Sequence, residues 1–189
     1  MMEESPKRVI LGVTGASGAI FADQFAKTYP GKKYIIPTTW GKKVFENELG
    51  RPIESLAALV EKIYDPDNLF SPFASGSVDF EALVILPCSV STMAKIAHGI
   101  ADNLLTRVAQ VALKEKRTLI IGLRETPLST IALRNATLLS ECGAVIFPLC
   151  PAFYLKPRHV EDLIDSLISR IGAFLGEPPK PGYLSEELE

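Results

Sequence analysis

With 189 residues, 20 Lys and Arg against 22 Asp and Glu and a net charge of −2, the chain is sized for one domain and has no general attraction for nucleic acid or anionic membrane. Apolar side chains make up 47% of it, too many for a disordered chain, yet no apolar run approaches the roughly 18 residues that span a bilayer. The amino terminus MMEESPKR lacks an apolar leader core, and Cys88, Cys142 and Cys150 form no CxxC, so a cytoplasmic protein without a disulfide framework or zinc site is expected.

Between a polar start and a proline-rich acidic tail (177–189), apolar runs alternate with helical patterns over a core of about residues 8–175, read as a single domain. The runs are 8–13 (RVILGV), 33–37 (KYIIP), 82–86 (ALVIL), 118–123 (TLIIGL) and 144–147 (AVIF). They are continuous rather than alternating, as strands buried on both faces of a parallel sheet are. Segments 18–28, 104–116, 130–142 and 160–174 read as helices, and Gly143 stands where a left-handed C-terminal cap belongs. The pattern predicts a doubly wound α/β sandwich in three layers, whose ligands bind beyond the carboxyl ends of the strands.

The first strand ends in GVTGASGA (12–19) and opens directly into a helix. Glycines permit a sharp turn and a close approach, free N–H groups at a helix start favour an anion, and Thr14 and Ser17 add hydroxyls. The spacing is GxxGxxG rather than GxGxxG, no Walker lysine follows, and the second strand ends in Thr38-Thr39-Trp40 rather than an acid. A phosphate-bearing mononucleotide therefore fits better than a dinucleotide, the alternative being a tight turn without a ligand. Two further small polar loops, ASGS (74–77) and PCSVST (87–92), suit the ring edge and ribityl chain of a flavin, although either alone could be an ordinary turn.

Arg107 and Lys114 stand seven residues apart, two helical turns on one face, which is either a solvated surface or half of an anion site. Arg124 and Glu125 follow the fourth strand at the ligand-binding edge. A guanidinium there suits phosphate, and a carboxylate beside a phosphate is raised in pKa and becomes a usable proton donor; a surface ion pair is the alternative. Asp65-Pro-Asp67 reads as a turn, and His98 and His159 are isolated, so no catalytic metal is expected.

These blocks, with NLLTRVAQVALKEKR (103–117), LRETPLS (123–129) and GAVIFPLCPAFYLKP (143–157), resemble the UbiX-type flavin prenyltransferases in order over about residues 8–175. The resemblance implies a flavodoxin-like, Rossmann-type subunit that joins a dimethylallyl group from dimethylallyl monophosphate to N5 and C6 of reduced FMN. The prenylated FMN serves a UbiD-type decarboxylase. By position, Gly15, Ala16, Ser17, Gly18, Thr38, Ser89, Val90, Ser91, Thr92 and Arg124 would hold FMN, with Ser17 near N5. Ser75, Gly76, Arg107, Lys114, Tyr154 and Arg170 would take the prenyl phosphate, with Glu125 handling protons. Relatives are commonly dodecamers whose sites draw on adjacent subunits.

Two positions depart from the pattern: Thr39 replaces a lysine that many relatives carry, and Leu69, followed by Phe70, replaces a tryptophan found in some. The competing readings are an FMN-dependent cysteine decarboxylase and a non-catalytic FMN carrier. The chain lacks the PxMNxxMW-like segment of the first, and its ionisable set exceeds what the second needs.

Overall fold

The computed structural model describes residues 7–178, so the expected acidic tail lies almost wholly outside the described residues. Six parallel strands are β1 (Arg8–Val13), β2 (Lys32–Pro37), β3 (Lys62–Ile63), β4 (Ala82–Cys88), β5 (Thr118–Leu123) and β6 (Val145–Pro148). They lie in the order β3-β2-β1-β4-β5-β6. The chain winds outward from β1 in one direction and from β4 in the other. A topological switch point therefore lies between β1 and β4, where ligands bind in such sheets.

The helices are α1 (Ala19–Thr28), α2 (Thr39–Leu49), α3 (Val90–Ala97), α4 (Leu104–Lys114), α5 (Thr130–Glu141) and α6 (Val160–Phe174). They cover both faces of the sheet. Val9, Leu11, Val13, Val84 and Leu86 pack with α1 and α6 residues such as Phe25, Leu167 and Ile171. Ile10, Leu83, Ile85 and Ile121 point the other way, onto Met93, Leu104, Leu105, Val108 and Val111. Alternate residues of one strand thus enter different cores, which explains the unbroken apolar runs. Each such side chain fully buried contributes about 1.5–3 kcal/mol.

All five strands read from the sequence are present. The two-residue β3 and the helix α2 are additions, and α3 is the helical stretch expected after the 87–92 loop. Three helix ends also differ from the sequence reading: Gly18 is the left-handed N-cap of α1 (φ 106°), α4 stops at Lys114, and α5 stops at Glu141. Gly143 has φ 92°, the left-handed conformation expected after α5. Among the described residues no helix is long and apolar enough to cross a membrane, and no group of three or more His, Cys, Asp or Glu is placed to hold a metal ion.

Candidate active site

At the carboxyl edge, Thr14 joins the two strands of the switch point. Its buried hydroxyl donates to the Pro87 carbonyl (2.8 Å) and accepts from the Ser89 N–H (2.8 Å). The Thr14 side chain is thus a structural clasp, its hydroxyl engaged within the protein rather than offered to a ligand. Ser89 caps α3: its Oγ accepts from the Thr92 N–H (3.2 Å) and lies 3.1 Å from Thr92 Oγ1. Thr38 caps α2 in the same way, accepting from the Gly41 N–H (2.9 Å). In the Thr38 cap the hydroxyl oxygen accepts from the backbone while its proton remains free to donate, which suits a ligand rich in oxygen acceptors.

These residues open on a cavity of about 490 Å³ lined by Gly15, Thr38, Ser89, Ser91 and Thr92 from the expected flavin set. Thr39, Trp40, Pro66, Asp67, Lys95, Asp102 and Asn103 complete the wall. Gly15 is needed for closeness, because a Cβ there would lie 2.7 Å from Trp40 Cβ. The 65–67 segment is a turn, with Asp65 Oδ1 accepting from the Asp67 N–H (2.9 Å), and it supplies one rim.

The start of α1 differs from the sequence expectation. The anion at its N–H groups is the protein's own: Glu48 Oε2 accepts from Gly18 (2.9 Å) and Ala19 (2.8 Å). Burial by itself raises the Glu48 carboxyl. The Ser17 hydroxyl, the two backbone N–H groups and the Arg124 guanidinium outweigh this and hold its pKa below the usual glutamate value. Ser17, Gly18, Glu48 and Arg124 therefore form one cluster beside the cavity. Glu48 is hard to see in the sequence because α2 buries only Gly41 and Phe45 and so carries almost no apolar stripe. Its signals were Thr38 as N-cap and Gly50 in the left-handed conformation at the end. Glu125 projects from the same edge, with Oε1 accepting from the Thr126 N–H (3.0 Å); among the described residues it forms no ion pair with Arg124.

A second group assembles elsewhere. Arg107 Nε donates to the Ala74 carbonyl (3.0 Å), and Arg117 donates to the carbonyls of Gly76 (2.9 Å) and Val78 (2.8 Å). The loop carrying Ser75 and Gly76 is thereby pinned to α4. A Cβ on Gly76 would sit 2.5 Å from Lys114 Nζ, which is ion-paired with Glu115. Lys114 lowers the Glu115 pKa by hydrogen bond and charge. Asn103, at the start of α4, lines the cavity, whereas Lys114 closes the helix roughly 16 Å farther along its axis. Tyr154 lies in the turn after β6 and Arg170 far along α6; both are exposed. One subunit therefore brings together the flavin-side residues and, separately, the Ser75–Lys114 group.

An α/β fold with a hydroxyl-lined cavity at its switch point, fed by two capped helix starts, defines a mononucleotide-binding protein of the flavodoxin-like class. The family model described as Flavoprotein matches residues 1–172. Over 170 residues the chain is 43% identical to the flavin prenyltransferase UbiX of Thermoplasma acidophilum, covering 89% of this chain and 94% of that protein. A crystal structure of AnUbiX in complex with FMN and dimethylallyl pyrophosphate superposes with a TM-score of 0.89 at 32% identity, covering 94% of this chain and 99% of that one. A dodecameric FMN-dependent UbiX-like decarboxylase from Escherichia coli gives 0.88 at 32%, covering 93% and 99%. The cysteine decarboxylase TvaF, at 15% identity and 0.61, covering 89% and 99%, shares the fold alone. The chain belongs to the UbiX flavin prenyltransferase family of flavoproteins.

Proposed function

We propose that this protein joins the dimethylallyl group of dimethylallyl monophosphate to N5 and C6 of reduced FMN and hands the prenylated flavin to a UbiD-type decarboxylase in the cytoplasm. The observation that carries the reading is the Ser17–Glu48–Arg124 cluster against a hydroxyl-lined cavity. It sets a proton-handling carboxylate and a guanidinium beside the place where a flavin ring would emerge. Gly15, Ala16, Ser17, Gly18, Thr38, Ser89, Val90, Ser91, Thr92 and Arg124 hold FMN, with Ser17 and Glu48 near N5. Arg107, Lys114, Tyr154 and Arg170 grip the prenyl phosphate, Ser75 and Gly76 form its floor, and Glu125 exchanges protons with it.

The allylic C–O bond breaks with its electron pair leaving on phosphate. Bonds form from the prenyl carbons to N5 and C6, displacing a proton from each. One proton adds to the prenyl double bond and the other leaves with phosphate. Fixed cations stabilise the departing anion, and electron-rich aromatic faces shield the allylic cation. The distance between Lys114 and the cavity within one subunit is what a homo-oligomer, a dodecamer by analogy with the UbiX-like protein of E. coli, would close by setting the Ser75–Lys114 group of one copy against the flavin cluster of another.

Mass spectrometry tests the reading. Purified protein given FMN, a reductant and dimethylallyl monophosphate is expected to yield flavin heavier by one prenyl group. Only unmodified FMN, from protein shown to be loaded and reduced, would overturn it. Glu125→Gln is expected to slow turnover while FMN stays bound; loss of FMN instead would remove Glu125 from the proton-handling role.

A further inference from the structure

The flavin cavity contains a charged pair that none of the roles above uses. Lys95, in the last turn of α3, lines the cavity and pairs with Asp102 (Nζ–Oδ2 2.5 Å). It follows Ser91 by four residues, so the two share the cavity-facing side of the helix. Among the described residues of the wall Lys95 is the one cation, and Thr39 adds only a hydroxyl. Asp102 does not depend on Lys95 alone: its Oδ1 also accepts from Asn103 Nδ2 (3.2 Å) and Thr106 Oγ1 (3.4 Å). An ammonium has three donors, and this carboxylate oxygen engages one.

We propose that Lys95, steered by Asp102, is the cation that recognises the phosphate of the bound mononucleotide and makes the cavity select phosphorylated over unphosphorylated flavin. The inference rests on the flavin reading above and adds a specificity residue to it. The Arg124 cluster lies at the α1 turn, is engaged with Glu48 and is not part of the cavity lining that carries Lys95. In the same cavity the hydroxyl donors of Thr38 and Thr92 and the N-terminal ends of α2 and α3 favour an anion, and the ammonium carried by the last turn of α3 completes the set. Asp102 holds the ammonium in place before the ligand arrives, and its own negative charge opposes the ligand's.

Titration of full-length protein with FMN and with riboflavin, followed by flavin fluorescence, separates the outcomes. Lys95→Ala is expected to weaken FMN about tenfold or more and to leave riboflavin within about twofold. Lys95→Arg is expected to restore most of the FMN affinity. Asp102→Asn, which keeps its hydrogen-bonding shape, is expected to tighten FMN by a few-fold without changing riboflavin. Equal loss of both flavins in Lys95→Ala, or loss of neither, overturns the inference while leaving the flavin site intact. Wild-type protein that binds neither flavin overturns the flavin reading itself, and the inference with it.

Discussion

Glu48 shows how a single side chain can take over a helix end. The start of α1 offers free N–H groups and a positive dipole end, and Glu48 fills that position from α2. A carboxylate so held remains ionised below the usual glutamate range, so it enters the reaction as a fixed negative charge and a weak base rather than as a proton donor. Glu48→Gln is expected to bind FMN within a few-fold of wild type but to slow prenyl transfer about 100-fold, read by single-turnover mass spectrometry. The depressed pKa also carries a sign for stability. The stabilisation from ionised Glu48 is present above the unfolded glutamate pKa and is lost as pH falls through the lower folded value. The stability difference between wild type and Glu48→Gln should therefore shrink on acidification through that window, as measured by urea denaturation at a series of pH values. A difference that grows on acidification would show that the Glu48 pKa is raised.

At the scale of elements, the site depends on two contacts between segments distant in sequence. Thr14 ties the end of β1 to the Pro87–Ser89 turn, so its replacement leaves the Ser89 N–H without its side-chain partner. Thr14→Val is expected to cost about 1–3 kcal/mol in chemical denaturation and to weaken FMN, because the Ser89–Thr92 turn loses its anchor. Gly41 allows α2 to lie against the end of β1: a Cβ there would overlap the Val13 carbonyl oxygen. Gly41→Ala is expected to cost about 1–3 kcal/mol and to lower flavin affinity by moving Trp40 and Thr38 away from Gly15. The same contacts explain what the sequence concealed. The long apolar strands could be read directly, because both their faces are buried. Only Gly41 and Phe45 of α2 are buried, so that helix has almost no apolar stripe, and β3 has only two residues. Glu48 was hidden for this reason.

In the whole molecule, Lys114 and the cavity lie at opposite ends of α4. Arg107 and Arg117 tie the 74–78 loop to α4 and the turn after it, with Gly76 close to Lys114, while the cavity opens near Asn103. A shared site predicts complementation. Lys114→Ala and Glu48→Gln subunits, each nearly inactive alone, should regain about a quarter of wild-type activity when co-assembled, because random mixing unites one intact half from each in that share of sites. Absence of recovery in demonstrably mixed oligomers would place both groups in one subunit. Exposed Trp40, Phe70, Phe153 and Phe174 are apolar surface of the kind such assembly would cover.

The order of buried strands, the glycine-rich turn after β1, the hydroxyl loops and the cations at 107, 114, 124 and 170 are all written in local sequence. Each follows from residue type and spacing along a few turns of chain. Tertiary structure alone decided which of these meet. It gave the α1 N-terminus to Glu48, made Thr14 a clasp, set Lys95 against Asp102 in the cavity wall, and put Lys114 a helix length away from it. These outcomes depend on segments that approach only when the sheet closes. Local propensity carries no information about such approaches, because the contacts form through packing between chain-distant elements.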